Sequence, residues 1–320
     1  MPLIAVKDDK ILRFVQRLLD PQVEPARIAA FTDYLAFDIP DVHGWIDHVR
    51  KSCGSFYPAS VRMVPDQEAL RAALPEADGL VIEGLNFGAQ ELSLAPNLKI
   101  VQNFGLDTRH IDMEACGRAG IKTPRFQRRI KAAVAEHAIA LMLAVGRKIC
   151  ETDGALDFAS LNKQGYPAAM FDVNHISGAN WARVPGLKNL QGSTLGALGL
   201  GEVGMEVANR ARAMGMDILY HQRRRLAPEL EKKWDAQYVG FGELLERADF
   251  LSIYIPLNDE TRGLVDGAAL GRMKQGAILV NISRAHIVDR QALIQAMDSG
   301  HLGGAAFDVH YQEPGPPASL

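Results

Sequence analysis

Cysteine is scarce in this chain of 320 residues. There are three, Cys53, Cys116 and Cys150, widely spaced and odd in number. They suit neither a disulfide framework nor a zinc motif, so no metal site is expected. Free thiols at this frequency point to a reducing compartment, and the expectation is a cytoplasmic protein. Long apolar runs are also lacking. The longest, Ala132 to Val145, carries Glu136 and His137 and is too short to span a bilayer. The start, Met-Pro-Leu-Ile-Ala-Val-Lys-Asp-Asp, has no basic leader and no long apolar core, so it does not read as a signal peptide. Nor is positive charge in excess. With 35 Lys and Arg against 38 Asp and Glu, the net charge of −3 gives no reason to expect nucleic acid or an anionic membrane as partner. No internal repeat, heptad or low-complexity segment is visible.

What is present is a rhythm of short apolar strands and helical patterns, in a chain long enough for two domains. Residues 1–127 read as a first α/β domain. Strands are expected at Leu3–Val6, Val61–Val64, Gly79–Ile82 and Lys99–Gln102. Asp66 is placed to cap a helix, and Asp112–Ala119 forms another that Gly120 closes. Residues 23–60, with Pro40, Gly44, Gly54 and Pro58, read as an irregular insertion. Ala132–Lys148 is the longest helical pattern. It is apolar nearly all round, which predicts a buried helix joining the two domains. A loose connection follows to about residue 192. The rhythm then returns, with strands at 195–198, 217–220, 250–255, 277–280 and 303–307, alternating with helices near 203–214, 241–247, 267–273 and 289–299. The expected fold class is α/β, with two open doubly wound domains. The first, the substrate domain, is flavodoxin-like, and the second, residues 128–310, is a Rossmann domain that binds NAD(P).

The second domain opens on Leu195-Gly-Ala-Leu-Gly-Leu-Gly-Glu-Val-Gly204. Its glycines fit G-x-G-x-x-G between an apolar strand and an amphipathic helix. Gly199 allows the tight turn, Gly201 the close approach of a pyrophosphate, and Gly204 the close packing of helix on strand. The phosphates would rest on free N–H groups at the positive end of the helix. The alternative is a glycine-rich corner with no ligand. In a NAD site the next strand ends on an acid that binds the ribose hydroxyls. Here it ends Tyr220-His221-Gln222-Arg223-Arg224-Arg225. A neutral Gln222 followed by Arg223 and Arg224 suits a 2′-phosphate, so NADP is expected as the preferred cofactor. If the basic run is only a solvated loop, NAD still binds through Gln222. His221 stands where it could touch the ribose or phosphate.

Further motifs join the glycine turn: Asp249-Phe-Leu-Ser-Ile-Tyr-Ile-Pro-Leu-Asn-Asp-Glu-Thr-Arg-Gly263, Met273-Lys-Gln-Gly-Ala-Ile-Leu-Val-Asn-Ile-Ser-Arg-Ala-His-Ile-Val-Asp289 and Gly303-Gly-Ala-Ala-Phe-Asp-Val309 with Glu313-Pro314. Together with Asn97–Gln102, Ile111-Asp112, Gly120-Ile121 and Ala133-Val-Ala-Glu-His137, they closely resemble the D-isomer-specific 2-hydroxyacid dehydrogenases. The resemblance runs from about residue 75 through nearly all of the remaining chain. It implies hydride transfer between nicotinamide and a 2-hydroxy or 2-keto acid, in a homodimer whose substrate lies between the two domains.

The same resemblance supplies residue roles. Arg284 matches the arginine that holds the substrate carboxylate, and Glu313 the carboxylate that pairs with the catalytic histidine. Asp308 matches an acid near the nicotinamide; as a bare residue it reads equally as a turn cap. Glu202, Val203, Pro256 and Ile282 fall at cofactor-binding positions. Gly84, Leu85 and Gly105 lie in loops that present N–H groups to the substrate carboxylate, while Glu83 and Asn103 beside them read equally as solvent-facing. Ala285 and Asp107 stand where the family usually has glycine. Leu106 replaces the lysine of phosphite dehydrogenases, which argues against phosphite. Arg125, Arg128 and Arg129 form a basic cluster suited to an acidic or larger substrate, or simply a solvated one. The histidine that pairs with the glutamate comes later in the family, and this chain reaches Leu320 without it. The expectation is therefore a sequence cut short, with residues 311–320 beginning a C-terminal return. Two functions follow: a 2-ketoacid reductase acting on a substrate such as glyoxylate or hydroxypyruvate, or a cofactor-binding homologue that lacks the general acid/base and senses or scaffolds.

Overall fold

A computed structural model describes residues 1–106, 108–126, 130–155, 157–170, 172, 174–175, 178 and 181–312. Asp107, Arg128, Arg129 and Glu313, singled out above, lie outside the described residues. The chain divides into two compact units, Met1–Arg128 and Arg129–Leu320. The long helix thus belongs to the second unit.

The first unit is built on four parallel strands, β1 (Leu3–Lys7), β2 (Ser60–Val64), β3 (Gly79–Ile82) and β4 (Ile100–Asn103), in the order β2-β1-β3-β4. The segment 122–125 runs parallel along the free side of β4, bridging Ile100 to Lys122 and Asn103 to Arg125. The order is thus that of a flavodoxin-like sheet with a short fifth member. Asp66 caps the helix Gln67–Ala73 by accepting from the Ala69 N–H at 2.8 Å, and Asp112 caps Met113–Arg118 in the same way. The core of this sheet is Leu70, Leu74, Leu80, Ile82 and Phe87 on one face, and Ile4, Val6, Leu12 and Val61 on the other.

The expected irregular stretch 23–60 is instead largely helical, with helices Pro25–Ala36 and Val42–Ser52. Of the residues read as breakers, Gly44 lies in the first turn of the second helix, while Pro40, Gly54 and Pro58 lie outside both. Pro25 takes the first helical position, where a missing N–H costs nothing. Asp41 caps the second helix by accepting from the Gly44 N–H at 2.9 Å. A side chain on Gly44 would collide with that capping carboxylate, its Cβ falling 2.1 Å from Asp41 Oδ2. A residue larger than glycine there would oblige the Asp41 carboxylate to shift within its cap.

The second unit has six parallel strands: β5 (Thr194–Leu198), β6 (Asp217–His221), β7 (Ala236–Tyr238), β8 (Phe250–Ile253), β9 (Ile278–Asn281) and β10 (Gly304–Phe307). Their order, β10-β9-β8-β5-β6-β7, is that of a dinucleotide-binding fold. The strands β8 and β9 are buried throughout, as unbroken apolar runs in a covered parallel sheet should be. One face carries the helices Ile130–Gly146 and Glu202–Ala213, the other Phe241–Arg247, Gly267–Arg272 and Arg290–Asp298. The strand order turns back between β5 and β8, which opens a crevice at their carboxyl ends.

Two expectations are corrected. The helix Ile130–Gly146 is not buried all round. Lys131, Ala135, Ala138, Ile139, Met142 and Gly146 face inward, while Ile130, Ala133 and Ala140 are exposed. Its outer apolar residues are mostly alanines, small enough to leave in water at little cost. The edge strand β7 and the helix Pro228–Trp234 before it were not anticipated, because three residues centred on an exposed Gln237 carry no periodic signal.

The link from β6 into that helix is clamped by a compact polar network. Tyr220 Oη donates to Glu231 at 2.7 Å and accepts from the Leu226 N–H at 2.9 Å. Arg225 donates to both Glu231 oxygens at 2.8 Å, with its guanidinium over the Tyr238 ring. The arginine and the phenol together hold the Glu231 carboxyl down at about 2, and burial beside that carboxylate pushes the Tyr220 phenol up to about 12. The carboxylate's contribution to stability is complete above its ordinary value of 4.5 and is lost as pH falls toward 2. The phenol's is complete below 10 and is lost as pH rises through about 12. Glu231→Gln should lower the melting temperature by about 2–4 °C at neutral pH. It should also flatten the acid limb between pH 4.5 and 2, measured by circular dichroism across a pH series; an unchanged acid limb would refute the clamp.

Candidate functional site

The carboxyl ends of β5, β6, β8, β9 and β10 carry nearly every residue singled out in the second unit. Gly199 follows β5 with φ +95°, a left-handed backbone that glycine adopts without strain, and a Cβ there would lie 2.9 Å from Ile255 Cγ2. Gly204, in the first turn of Glu202–Ala213, is packed so closely that a Cβ would sit 2.5 Å from the Gly199 carbonyl oxygen. Gly201 differs from both. A Cβ there would meet nothing within 4 Å, so its glycine leaves open space in front of the turn. The N–H groups of Gly201, Val203 and Gly204 make no hydrogen bond among the described residues. Three unclaimed donors, an open face and the positive end of a 12-residue helix fit a diphosphate.

Gln222 is wired into this turn. Its Oε1 accepts from the Leu200 N–H at 2.9 Å and its Nε2 donates to the Arg224 carbonyl at 2.7 Å. The amide thereby joins the glycine turn to the basic loop. The three arginines part company. Arg225 is committed to Glu231. Arg223 reaches Glu260 at 3.6 Å, with both side chains more than three-quarters exposed, a contact of little strength. Arg224 is exposed and its guanidinium has no partner among the described residues. His221 is occupied elsewhere. Its Nδ1 lies 2.9 Å from the Val239 carbonyl, which fixes the proton on that nitrogen, and its ring stacks on Tyr238. Its ring therefore packs against the strand end through Nδ1 and its face.

Arg284 is projected by a turn that Asn281 builds from a fully buried position. Asn281 Nδ2 donates to the Arg284 carbonyl at 2.9 Å, and its Oδ1 accepts from the Ser283 N–H at 3.0 Å. The hydroxyl of Ser283 donates to the Ile255 carbonyl and so ties the turn to the segment after β8. The Arg284 side chain is exposed and held only by its neighbour, donating to the Ser283 carbonyl at 2.7 Å. Ala285 is buried and starts the turn Ala285–Ile287 without a left-handed backbone, so the residue found here in place of the usual glycine introduces no strain. Ile282 sits half-buried in the same turn, and Pro256 is exposed after β8.

Asp308 follows β10, and no side-chain cap forms there among the described residues. Its carboxylate instead stands 3.3 Å from His137 Nε2, both groups about half exposed. The helix bearing His137 makes two further charged contacts with Glu202–Ala213. Arg210 bridges Glu206 and Glu136, and Lys131 pairs with Glu202. The Lys131–Glu202 contact had no sequence signal, since the residues lie on different elements and neither belongs to a motif with the other.

In the first unit the loops after β3 and β4 carry the other candidates. Gly84, φ +74°, and Gly105, φ +135°, both take backbones that favour glycine. The N–H groups of Gly84, Leu85 and Gly105 make no hydrogen bond among the described residues. Asn103 does not face solvent. It is 2 % exposed and donates from Nδ2 to the Gly105 carbonyl at 2.8 Å, which holds the loop open. Glu83 is half-buried, and Arg125 is exposed at the end of the short fifth member. Among the described residues no group of His, Cys, Asp and Glu could hold a metal ion.

Residues 139–320 match the family model described as D-isomer specific 2-hydroxyacid dehydrogenase, NAD binding domain. A glyoxylate reductase of Aeropyrum pernix is 37 % identical over 254 residues, covering 78 % of this chain and 71 % of that protein. A D-3-phosphoglycerate dehydrogenase of Mycobacterium leprae is 35 % identical over 251 residues, covering 78 % of this chain but only 44 % of that protein. Among solved structures, the apo form of Rhodotorula graminis D-mandelate dehydrogenase superposes with a TM-score of 0.57 at 22 % identity, over 98 % of this chain and 83 % of that one, a likeness of fold. The chain belongs to the D-isomer specific 2-hydroxyacid dehydrogenase family of oxidoreductases.

Proposed function

We propose that this protein is an NADP-preferring 2-ketoacid reductase that interconverts a small 2-keto acid, of the glyoxylate or hydroxypyruvate class, with the D-2-hydroxy acid. The observation that carries the reading is the grouping at one sheet edge. The open turn at Gly201, with its unclaimed N–H groups, follows β5, and the Asn281-built turn that presents Arg284 follows β9. When bound, the nicotinamide supplies the hydride donor or acceptor. The chain supplies the rest. The backbone N–H groups of Gly201, Val203 and Gly204 cradle the phosphates, Pro256, Ile282 and Asp308 border the nicotinamide side, and Gly84, Leu85 and Gly105 offer N–H donors to the substrate carboxylate. Arg284 is assigned to the substrate carboxylate and to the charge developing on the carbonyl oxygen. Glu313 is assigned the carboxylate role toward a catalytic histidine.

The preference for NADP rests on Arg223 and Arg224. Gln222 carries no charge to repel a 2′-phosphate, Arg224 has no competing partner among the described residues, and Arg223 has only a weak one. Arg225 is excluded from this role by its commitment to Glu231. The working assembly is a homodimer in the cytoplasm. The free thiols and the exposed Ile130, Ala133 and Ala140 of the long helix support that reading.

Three measurements test this. Purified protein should oxidise NADPH with a panel of 2-keto acids, and Arg284→Ala should lower kcat/KM by about 10²–10³-fold. Dinucleotide binding without turnover on any of them would favour a binding-only homologue. The double change Arg223→Ala with Arg224→Ala should weaken NADPH by about tenfold and leave NADH within about twofold; equal losses for both would remove the NADP assignment. Sedimentation at micromolar concentration should give twice the 35.0 kDa chain mass, and a monomer would reject the dimer.

A further inference from the structure

Lys131 is the one charged side chain buried on the long helix, 7 % exposed, and its ammonium meets the Glu202 carboxylate, itself 22 % exposed. Glu202 is the first residue of the helix that opens at Gly201. A carboxylate there is favourable to the helix end in the absence of ligand. It is also the wrong charge for that place once a diphosphate arrives, because it stands beside the donors of Gly201, Val203 and Gly204. Stability alone does not explain the pair. A lysine on the buried face of this helix is no better for folding than an apolar residue of similar size. The two helices are already joined by apolar packing and by Arg210, which bridges Glu206 and Glu136 further along.

We infer that Lys131 is a positioning residue of the dinucleotide site. It draws the Glu202 carboxylate against the first turn of the Ile130–Gly146 helix, cancels its charge, and so leaves the end of the Glu202–Ala213 helix net positive toward a diphosphate. The long helix then belongs to the cofactor site through its first turn. This inference rests on the dinucleotide reading above and adds to it a residue that no phosphate need touch.

The test is binding to the full chain, titrated with NADH, NADPH, ADP and adenosine by calorimetry, alongside melting temperatures. Lys131→Met should weaken NADH, NADPH and ADP by about tenfold, the effect of one uncompensated carboxylate several ångströms from the phosphates. It should leave adenosine unchanged, because adenosine carries no phosphate. Raising the salt concentration should shrink the defect. Glu202→Gln alone should bind the three phosphorylated ligands as tightly as the parent or tighter. The double variant, neutral at both positions, should return to within about twofold of the parent. If Lys131→Met does not fold, Glu202→Gln and the double variant still decide the matter. A Glu202→Gln that weakens binding overturns the inference, as does a Lys131→Met that melts lower yet binds ADP like the parent. Parent protein that binds none of the phosphorylated ligands sinks the dinucleotide reading together with the inference. Parent binding with unmoved variants sinks the inference alone.

Discussion

The second unit depends on one close approach, that of Gly204 to the carbonyl of Gly199. With hydrogen in place of a side chain, the helix Glu202–Ala213 can enter directly over the end of β5. Its apolar face, Val207, Ala208 and Ala211, then seats against Ala135, Ala138 and Met142 of the long helix. The N–H groups of Val203 and Gly204 in its first turn make no hydrogen bond among the described residues. A tight contact that stabilises the core thus produces an unsatisfied polar edge, and that edge is where a ligand is useful. Site and core are two sides of one packing solution.

Charge is distributed around that edge by side chains whose partners are specific. Arg225 is locked to Glu231 and Tyr220, which fixes the loop but removes the arginine from ligand binding. Arg223 and Arg224 extend from the loop so held. Arg284 is aimed by a buried asparagine that it does not itself contact through its side chain. In each case a buried or clamped polar group does the orienting, and a cation is left exposed. The first unit repeats the device without charge, where Asn103 holds the loop of Gly105.

Much of this was legible from residue order. The strands of the second unit announce themselves as apolar runs, because a parallel sheet covered on both faces needs them. The glycine turn, Arg284 and the switch from acid to Gln222 could each be placed because their neighbours in sequence are also their neighbours in space. The stretch 23–60 was misread for a definite reason. Pro40, Gly54 and Pro58 fall between or after the two helices and Gly44 sits in a first turn, so none of them interrupts a helix interior. The pairs Lys131–Glu202 and His137–Asp308 were invisible because the fold, and not the spacing, brings them together. The outer face of the long helix was overestimated because composition does not say which alanines face water.

Gln222 has a consequence for how such a protein can change over evolutionary time. Its amide uses both ends, accepting at the glycine turn and donating into the basic loop. An acid in its place would keep the first contact and set a carboxylate oxygen against the Arg224 carbonyl in the second. The single substitution that would recruit a free ribose hydroxyl therefore also disturbs the loop that bears the arginines. A side chain at position 222 and the shape of the loop after it are therefore coupled, and a change at one is felt at the other.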